Sequence, residues 1–402
     1  MFPRISDLIN YLLGTDLEIP IQSYGLMLAL SFIAGAVILY IELKRKEKAG
    51  QIHPHVETVL TGAPASLQEL VLSGIFGFII GWKIIGLMVE YPLFSAQPQN
   101  FILSLQGSFP GGLLMAAFMV FITYYTRKKK ELKPPVREEV VVHPYQLSLN
   151  ILLMAAIFGI AGAKLFDTLE HLDELMQDPL KILLSFDGLT FYGGLIVAFV
   201  AVMWYVHSKK VPYPQFLDAV APALILAYAV GRMGCQISGD GCWGIPNPEP
   251  QPGWLAFLPD WTWSFTYPHN VINEGVPIPN CSGNNCHMLA QPVFPVPLYE
   301  TTLSLIIFLF LWLIRRKLNS PGNLFAIYLI LNGAERFFIE KIRVNIVYEF
   351  AGLRFTQAEV IAICLVILGC VGLWYFSSLH KRAVISQSSS GKQAVKHKEK
   401  QK

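Results

Sequence analysis

Ionisable residues spaced along an apolar segment are the part of this chain best suited to chemistry. The segment NLFAIYLILNGAERFFIEKIRVN, residues 323–345, sets Asn332, Arg336, Glu340 and Arg343 at intervals of four, four and three. Those intervals place them on one face of a helix, with Arg336 and Glu340 as an i,i+4 pair. Glu335 and Lys341 lie off that face. A charged side chain at the centre of a membrane helix costs about 2.5–3.5 kcal/mol on insertion scales, so such a cluster needs a reason. One reading is a buried ion pair that ties helices together, or snorkelling near a helix end. The other is a cationic pocket. A second apolar run, PALILAY, leads to Arg232 and the glycine-rich stretch GRMGCQISGDGCWG at 231–244. Two or three arginines near one membrane surface suit a phosphate group, through bidentate hydrogen bonds.

Other residues carry weaker signals. Tyr24 opens the first apolar run, where a tyrosine suits the interfacial belt. Asp218 sits within the sixth run and can pair with a cation or cap a helix. Tyr192 precedes Gly193 and Gly194. Paired glycines allow close backbone approach to a ligand, or close packing of one helix on another. Of six cysteines, Cys364 and Cys370 fall in the last apolar run as core residues. Cys281 and Cys286 flank SGNN in a long loop, where a disulfide or two free thiols are both open. Cys281, Cys286 and His287 make an incomplete metal set, and no other metal-ligand cluster stands out.

Membrane helices must position these groups. The chain has 402 residues, 53% hydrophobic and 15% charged, and its mean hydropathy is +0.46. That excludes an ordinary soluble domain. The fold class expected is an all-α polytopic membrane protein with about nine transmembrane helices and a small exported loop domain. The runs lie near 24–43, 68–90, 107–126, 146–167, 189–207, 215–233, 297–314, 322–341 and 357–376. Basic clusters such as KRKEK at 44–48 and RKKKELK at 127–133 follow alternate runs. The positive-inside rule then sets the N-terminus outside and the C-terminus in the cytoplasm.

The organisation expected begins with an interfacial segment, 1–23, in which residues 5–13 form an amphipathic helix. The first helix and its cytoplasmic loop take 24–67. Two hairpins follow at 68–133 and 146–210, then the sixth helix at 215–239 and an exported head at 240–297. Three helices at 298–380 and a disordered basic tail at 381–402 complete it. The two hairpins repeat one another. IFGFIIGWK at 75–83 matches IFGIAGAK at 157–164, and Pro110-Gly111-Gly112 corresponds to Tyr192-Gly193-Gly194. Both copies have the same membrane orientation, which argues modestly against a transporter built on inverted repeats.

In order along the chain stand SYGLM at 23–27, GLTFYGGL at 188–195, FLDAVAPAL at 216–224, GRMGC and GDGCWG within 231–244, PLYE at 297–300 and NGAERFFIEKIR at 332–343. This series resembles the prolipoprotein diacylglyceryl transferase family. The resemblance implies a bacterial inner-membrane enzyme that moves the diacylglyceryl group of phosphatidylglycerol to the lipobox cysteine of an exported prolipoprotein. A thioether forms and glycerol phosphate leaves. The implied partners are that lipid, the prolipoprotein signal peptide and the surrounding membrane lipid, with no nucleic acid; no cofactor or metal is implied. Carried over, Tyr192, Arg336, Glu340 and Tyr24 become the catalytic candidates. Arg232, Gly193, Gly194, Asp240, Gly244 and Arg343 become the substrate-binding ones. The chain departs from the family pattern at Tyr192, where histidine is usual, at Cys235 in place of asparagine and at Asp240 in place of glutamate. The family typically has seven spans; the duplicated hairpin accounts for two more. These departures keep a second reading open, a divergent paralogue with another acceptor or no activity, and behind it an anion transporter.

Overall fold

The computed structural model describes residues 1–399 other than 18, 92–100, 102–105, 133, 178–189, 282 and 351–352. It falls into two compact units, one of residues 1–17, 22–52 and 211–402, the other of 18–21 and 53–210. Most of the chain is helical. Among the described residues, seven helices are long and apolar enough to cross a membrane, so the chain is a multi-pass membrane protein. The other two expected spans fall short for different reasons. The apolar helix Tyr192–Ser208 is short, and Asn323–Glu340 spends three of its eighteen positions on Glu335, Arg336 and Glu340.

The second unit holds both hairpins. It runs β1 (His55–Thr61), α3 (Leu67–Val89), α4 (Phe109–Lys129), β2 (Val136–Val142), α5 (Ser148–Glu170), α6 (Leu172–Gln177) and α7 (Phe191–Ser208). Glycine faces glycine in each hairpin. A Cβ on Gly81 of α3 would lie 2.5 Å from the Gly111 carbonyl oxygen of α4. A Cβ on Gly193 of α7 would lie 2.8 Å from the Gly162 carbonyl oxygen of α5, and one on Gly194 would lie 2.7 Å from that of Gly159. Small residues let these helices touch backbone to backbone. That packing is one of the two uses expected of the Gly193-Gly194 pair. The strands depart from the all-helical expectation. β1 and β2 pair antiparallel in the register His55–Val142 to Thr61–Val136. Their Val and Thr content favours a pleated strand.

The first unit holds α1 (Ile5–Leu13), α2 (Ser23–Lys48), α8 (Tyr213–Ser238), α9 (Val296–Ile314), α10 (Asn323–Glu340), β5 (Val347–Phe350), β6 (Leu353–Thr356) and α11 (Gln357–Glu399). α1 is the amphipathic helix expected at 5–13, and it stops at Gly14 in the left-handed region. α8 packs on α2, α9 and α10, and α10 packs on α11. Ile225, Ile307, Leu311 and Leu324 form the buried apolar centre of that bundle. The polar residues at one end of α8 are structural. Asp218 lies 3.6 Å from Lys46 Nζ and accepts the Gly322 and Phe325 backbone N–H groups at 2.9 and 3.0 Å. It therefore pairs with a cation and caps the first turn of α10, the two roles open to it from sequence. At the other end of α10, Thr356 and Glu359 form a reciprocal capping box that starts α11, and Lys341 pairs with Glu359.

The long loop between α8 and α9 is an ordered, aromatic-centred piece. Trp243, Tyr267, Leu289 and Val293 form its core, and the Tyr267 hydroxyl donates to Gln236 at 2.8 Å. Burial pushes the Tyr267 phenol above its ordinary pKa. A short ladder, β3 (Val276–Pro277) with β4 (His287–Met288), frames the Cys281–Cys286 disulfide, which settles the question left by spacing. The backbone of α11 continues through the segment expected to be disordered, as far as Glu399. Lys, Gln, Ala and Glu in that segment are good helix formers.

Candidate functional site

The site is built where α8, α9 and α10 end together against the loop. Arg232 lies on the last turns of α8, which closes at Gly239 with φ 66° and a Gly239 N–H bond to the Cys235 carbonyl at 3.0 Å. Four residues before Arg232 on the same face stands Tyr228. The Arg232 Nε donates to the Tyr228 hydroxyl at 3.1 Å, and that hydroxyl donates to Glu300 Oε1 at 3.1 Å. The guanidinium also lies over the tyrosine ring, 5.1 Å from its centre.

Glu300 is the centre of the arrangement. It sits in the first turns of α9 and its side chain is fully buried. Arg232 Nε is 2.9 Å from its Oε2, an ionic contact, since the N–H itself points to Tyr228. Arg336 Nη1 and Arg343 Nη1 both reach Oε1, at 3.4 and 3.2 Å. Arg336 Nη2 meets Glu340 Oε2 at 2.8 Å, one helical turn on, and Asn345 donates to the other Glu340 oxygen. Three arginines thus surround one buried carboxylate. Their side chains are 17–21% exposed, so one edge of the cluster is open. A guanidinium fork carries more N–H donors than these contacts use, and the unused ones suit an oxyanion.

Arg343 arrives by a different route from the one its spacing implies. α10 ends at Glu340, and Arg343 lies beyond it in extended backbone paired with Gly244. Ile245 N–H bonds the Ile342 carbonyl at 2.9 Å, and a Cβ on Gly244 would lie 2.5 Å from that same oxygen. Gly244 is therefore the point where the loop closes onto the end of α10 and sets Arg343 in place. Tyr24 lies in the first turn of α2 against α8. A Cβ on Gly234 would lie 3.5 Å from its ring and 2.9 Å from Met27 Cβ. Asp240 accepts the Cys242 backbone N–H at 3.2 Å. Tyr192 opens α7 in the other unit, half-buried.

Sequence reasoning missed Glu300, Tyr228 and Cys242. PLYE contained Glu300, and Tyr228 stands one turn before Arg232, yet only folding shows that they meet. One further grouping was not marked by spacing. Ligand atoms of Cys235, Asp240 and Cys242 lie within 4.8 Å of one another, because the turn at Gly239–Gly241 folds Cys242 back toward the helix end.

Comparison with known proteins adds the lineage. The sequence model of the family described as prolipoprotein diacylglyceryl transferase matches residues 135–375. The chain belongs to the prolipoprotein diacylglyceryl transferase family. That stretch takes in Arg232, Glu300, Arg336, Glu340 and Arg343, together with the second hairpin. Among proteins named phosphatidylglycerol–prolipoprotein diacylglyceryl transferase, that of Symbiobacterium thermophilum is 32% identical over 232 residues, 57% of this chain and 76% of the relative. The Prochlorococcus marinus protein is 26% identical over 285 residues, 66% of this chain and 86% of the relative. The Leptospira interrogans protein is 26% identical over 219 residues, 48% of this chain and 61% of the relative. The match to the Leptospira protein thus spans less than two thirds of that protein's length.

Proposed function

We propose that this protein transfers the diacylglyceryl group of phosphatidylglycerol to the lipobox cysteine thiol of exported prolipoproteins, forming a thioether and releasing glycerol phosphate. The observation that carries the reading is the set of three arginines gathered on Glu300. Arg232 and Arg336 hold the phosphoglycerol head, with Arg343 beside them. Glu340 orients Arg336, and Tyr24 hydrogen-bonds lipid or thiol. Asp240 and Gly244 shape the binding edge. The acceptor sulfur attacks as a thiolate, since the thiol is a weak nucleophile. As the glyceryl C–O bond breaks, negative charge grows on the leaving phosphate. Fixed guanidiniums stabilise that charge without reorganising.

The topology that goes with this reading has nine spans, counting α7 and α10. The N-terminus and the 240–297 head lie outside the bacterial inner membrane and the C-terminus in the cytoplasm. Purified protein incubated with phosphatidylglycerol and a lipobox-cysteine peptide is expected to yield the thioether peptide. Folded protein that makes none would end the reading. Tyr192 and Cys235 favour one second reading, a paralogue with another acceptor. Such a paralogue would fail to sustain a strain depleted of its own transferase.

A further inference from the structure

The cysteines nearest the arginine cluster have no part in the chemistry described so far. Cys235 lies on the last turn of α8, buried, and Cys242 follows the turn, half-buried. Both are free thiols in a chain whose Cys281 and Cys286 are bonded. Gly239 and Gly241, with φ of 66° and 90°, reverse the chain on either side of Asp240. That reversal brings the two sulfurs and an Asp240 oxygen within 4.8 Å of one another. Ligand atoms on a tetrahedral zinc, with Zn–S near 2.3 Å and Zn–O near 2.1 Å, stand roughly 3.5–3.8 Å apart. The cluster therefore needs only small side-chain adjustments to close around an ion.

Three features fit a divalent cation. The cluster sits at a helix C-terminus, where the backbone carbonyls favour positive charge. The Cys242 N–H bond to Asp240 Oδ1, 3.2 Å, fixes the carboxylate in the manner of an outer-shell partner. Two thiolates and a carboxylate around a dication leave one net negative charge, and Arg232 Nη1 stands 3.9 Å from Cys235 Sγ to balance it. A mixed thiolate and carboxylate set suits zinc; copper(I) favours sulfur alone, and iron–sulfur clusters need more thiolates. Three protein ligands with a fourth position open is the pattern of a catalytic zinc site rather than a structural one.

We propose that Cys235, Asp240 and Cys242 hold a zinc ion whose open position takes the acceptor thiol as a thiolate, beside the arginines that hold the lipid phosphate. The thiol part of this proposal rests on the transferase reading above. The balance is simple. The acceptor S–H gives its proton to solvent on binding, as metal-bound thiols do. The thiolate then forms the C–S bond to the glyceryl carbon. The C–O bond to phosphate breaks, and its electron pair leaves with glycerol phosphate. The chain carries Tyr192, a poor base, at the position discussed above. Zinc would supply the thiolate without one.

The test uses the full chain in detergent. Zinc content is measured by mass spectrometry on wild type, on Asp240→Asn and on the Cys235→Ser, Cys242→Ser double variant, each first shown to be folded and monodisperse. Wild type is then loaded with Co²⁺, and the sulfur-to-cobalt charge-transfer band is recorded with a lipobox-cysteine peptide and with its serine counterpart. One zinc per wild-type chain is expected, with none in the double variant and weaker retention in Asp240→Asn. The band is expected to shift with the cysteine peptide only. Equal zinc in wild type and double variant, a band blind to the cysteine peptide, or a Cys235–Cys242 disulfide in the folded protein would each overturn the proposal. Undiminished thioether formation by chelator-stripped protein also overturns it and leaves the transferase reading intact. Zinc and a thiol response without any thioether product would uphold the site and sink the transferase reading instead.

Discussion

The two ends of α8 both carry buried charge, but they satisfy it in different ways. At Asp218 each acid has its own partners. Asp218 takes Lys46 and two backbone N–H groups, while Glu42 takes Arg45 and Arg315. Lys46 and Arg315 there are 5% and 7% exposed, while Arg45, at 20%, lies at the edge. Fourteen residues along the helix, about 21 Å away, the sharing differs. Three arginines share Glu300, and their side chains remain partly open. Buried ion pairs add little net stability, yet removing one partner is costly because the other is left unpaired. The first end reads as an arrangement that fixes helices. The second reads as one held ready for an anion, because all three of its cations converge on one carboxylate and stay partly open.

Substitutions can break this contrast. The largest effect is expected from Glu300→Gln, which leaves three arginines around a neutral amide. Stability should fall by about 3–5 kcal/mol, followed by denaturant unfolding in detergent, and thioether formation should be lost. A variant with parental stability would remove Glu300 from the centre of the cluster. Arg232→Gln comes next. Turnover should drop about 10²–10³-fold, as for other preorganised anion donors. The drop should appear in the peptide transfer assay under saturating lipid, with less loss of stability than Glu300→Gln.

Asp218→Asn probes the first end. It weakens the Lys46 pair and one cap of α10, for about 1.5–3 kcal/mol of stability. Turnover per folded molecule should stay near parental; a fall matching that of Arg232→Gln would erase the distinction between the two ends. The smallest effect is expected from Gly244→Ala. Its Cβ meets the Ile342 carbonyl, so the loop must shift at a cost of about 1–3 kcal/mol. Displacing Arg343 should raise the KM for lipid more than it lowers kcat. Unchanged KM would separate the Gly244 contact from the site.

Much of the site was legible before folding, though unevenly. Arg336 and Glu340 fell on one face because helical periodicity is local, and their ion pair follows from it. Arg343 was assigned to the same face and in fact lies past the helix, where the Gly244 contact decides its position. Glu300 carried no periodic partner and stood alone in an apolar run, so nothing local marked it as the shared acid. Cys242 gave no signal until two left-handed glycines turned it toward Cys235. Gly193 and Gly194 left two uses open, and the packing of α7 on α5 supplies one of them.

The order of apolar runs, the glycine pairs of the repeated hairpins and the family motifs are properties of the chain itself. Together they establish a helical membrane protein of this lineage and name most of its charged residues. Which charges share a carboxylate, and which cysteines meet, was decided only by tertiary structure. The reason is physical. Periodicity specifies the face of one helix, whereas convergence depends on where helices end and on how the α8–α9 loop closes over them.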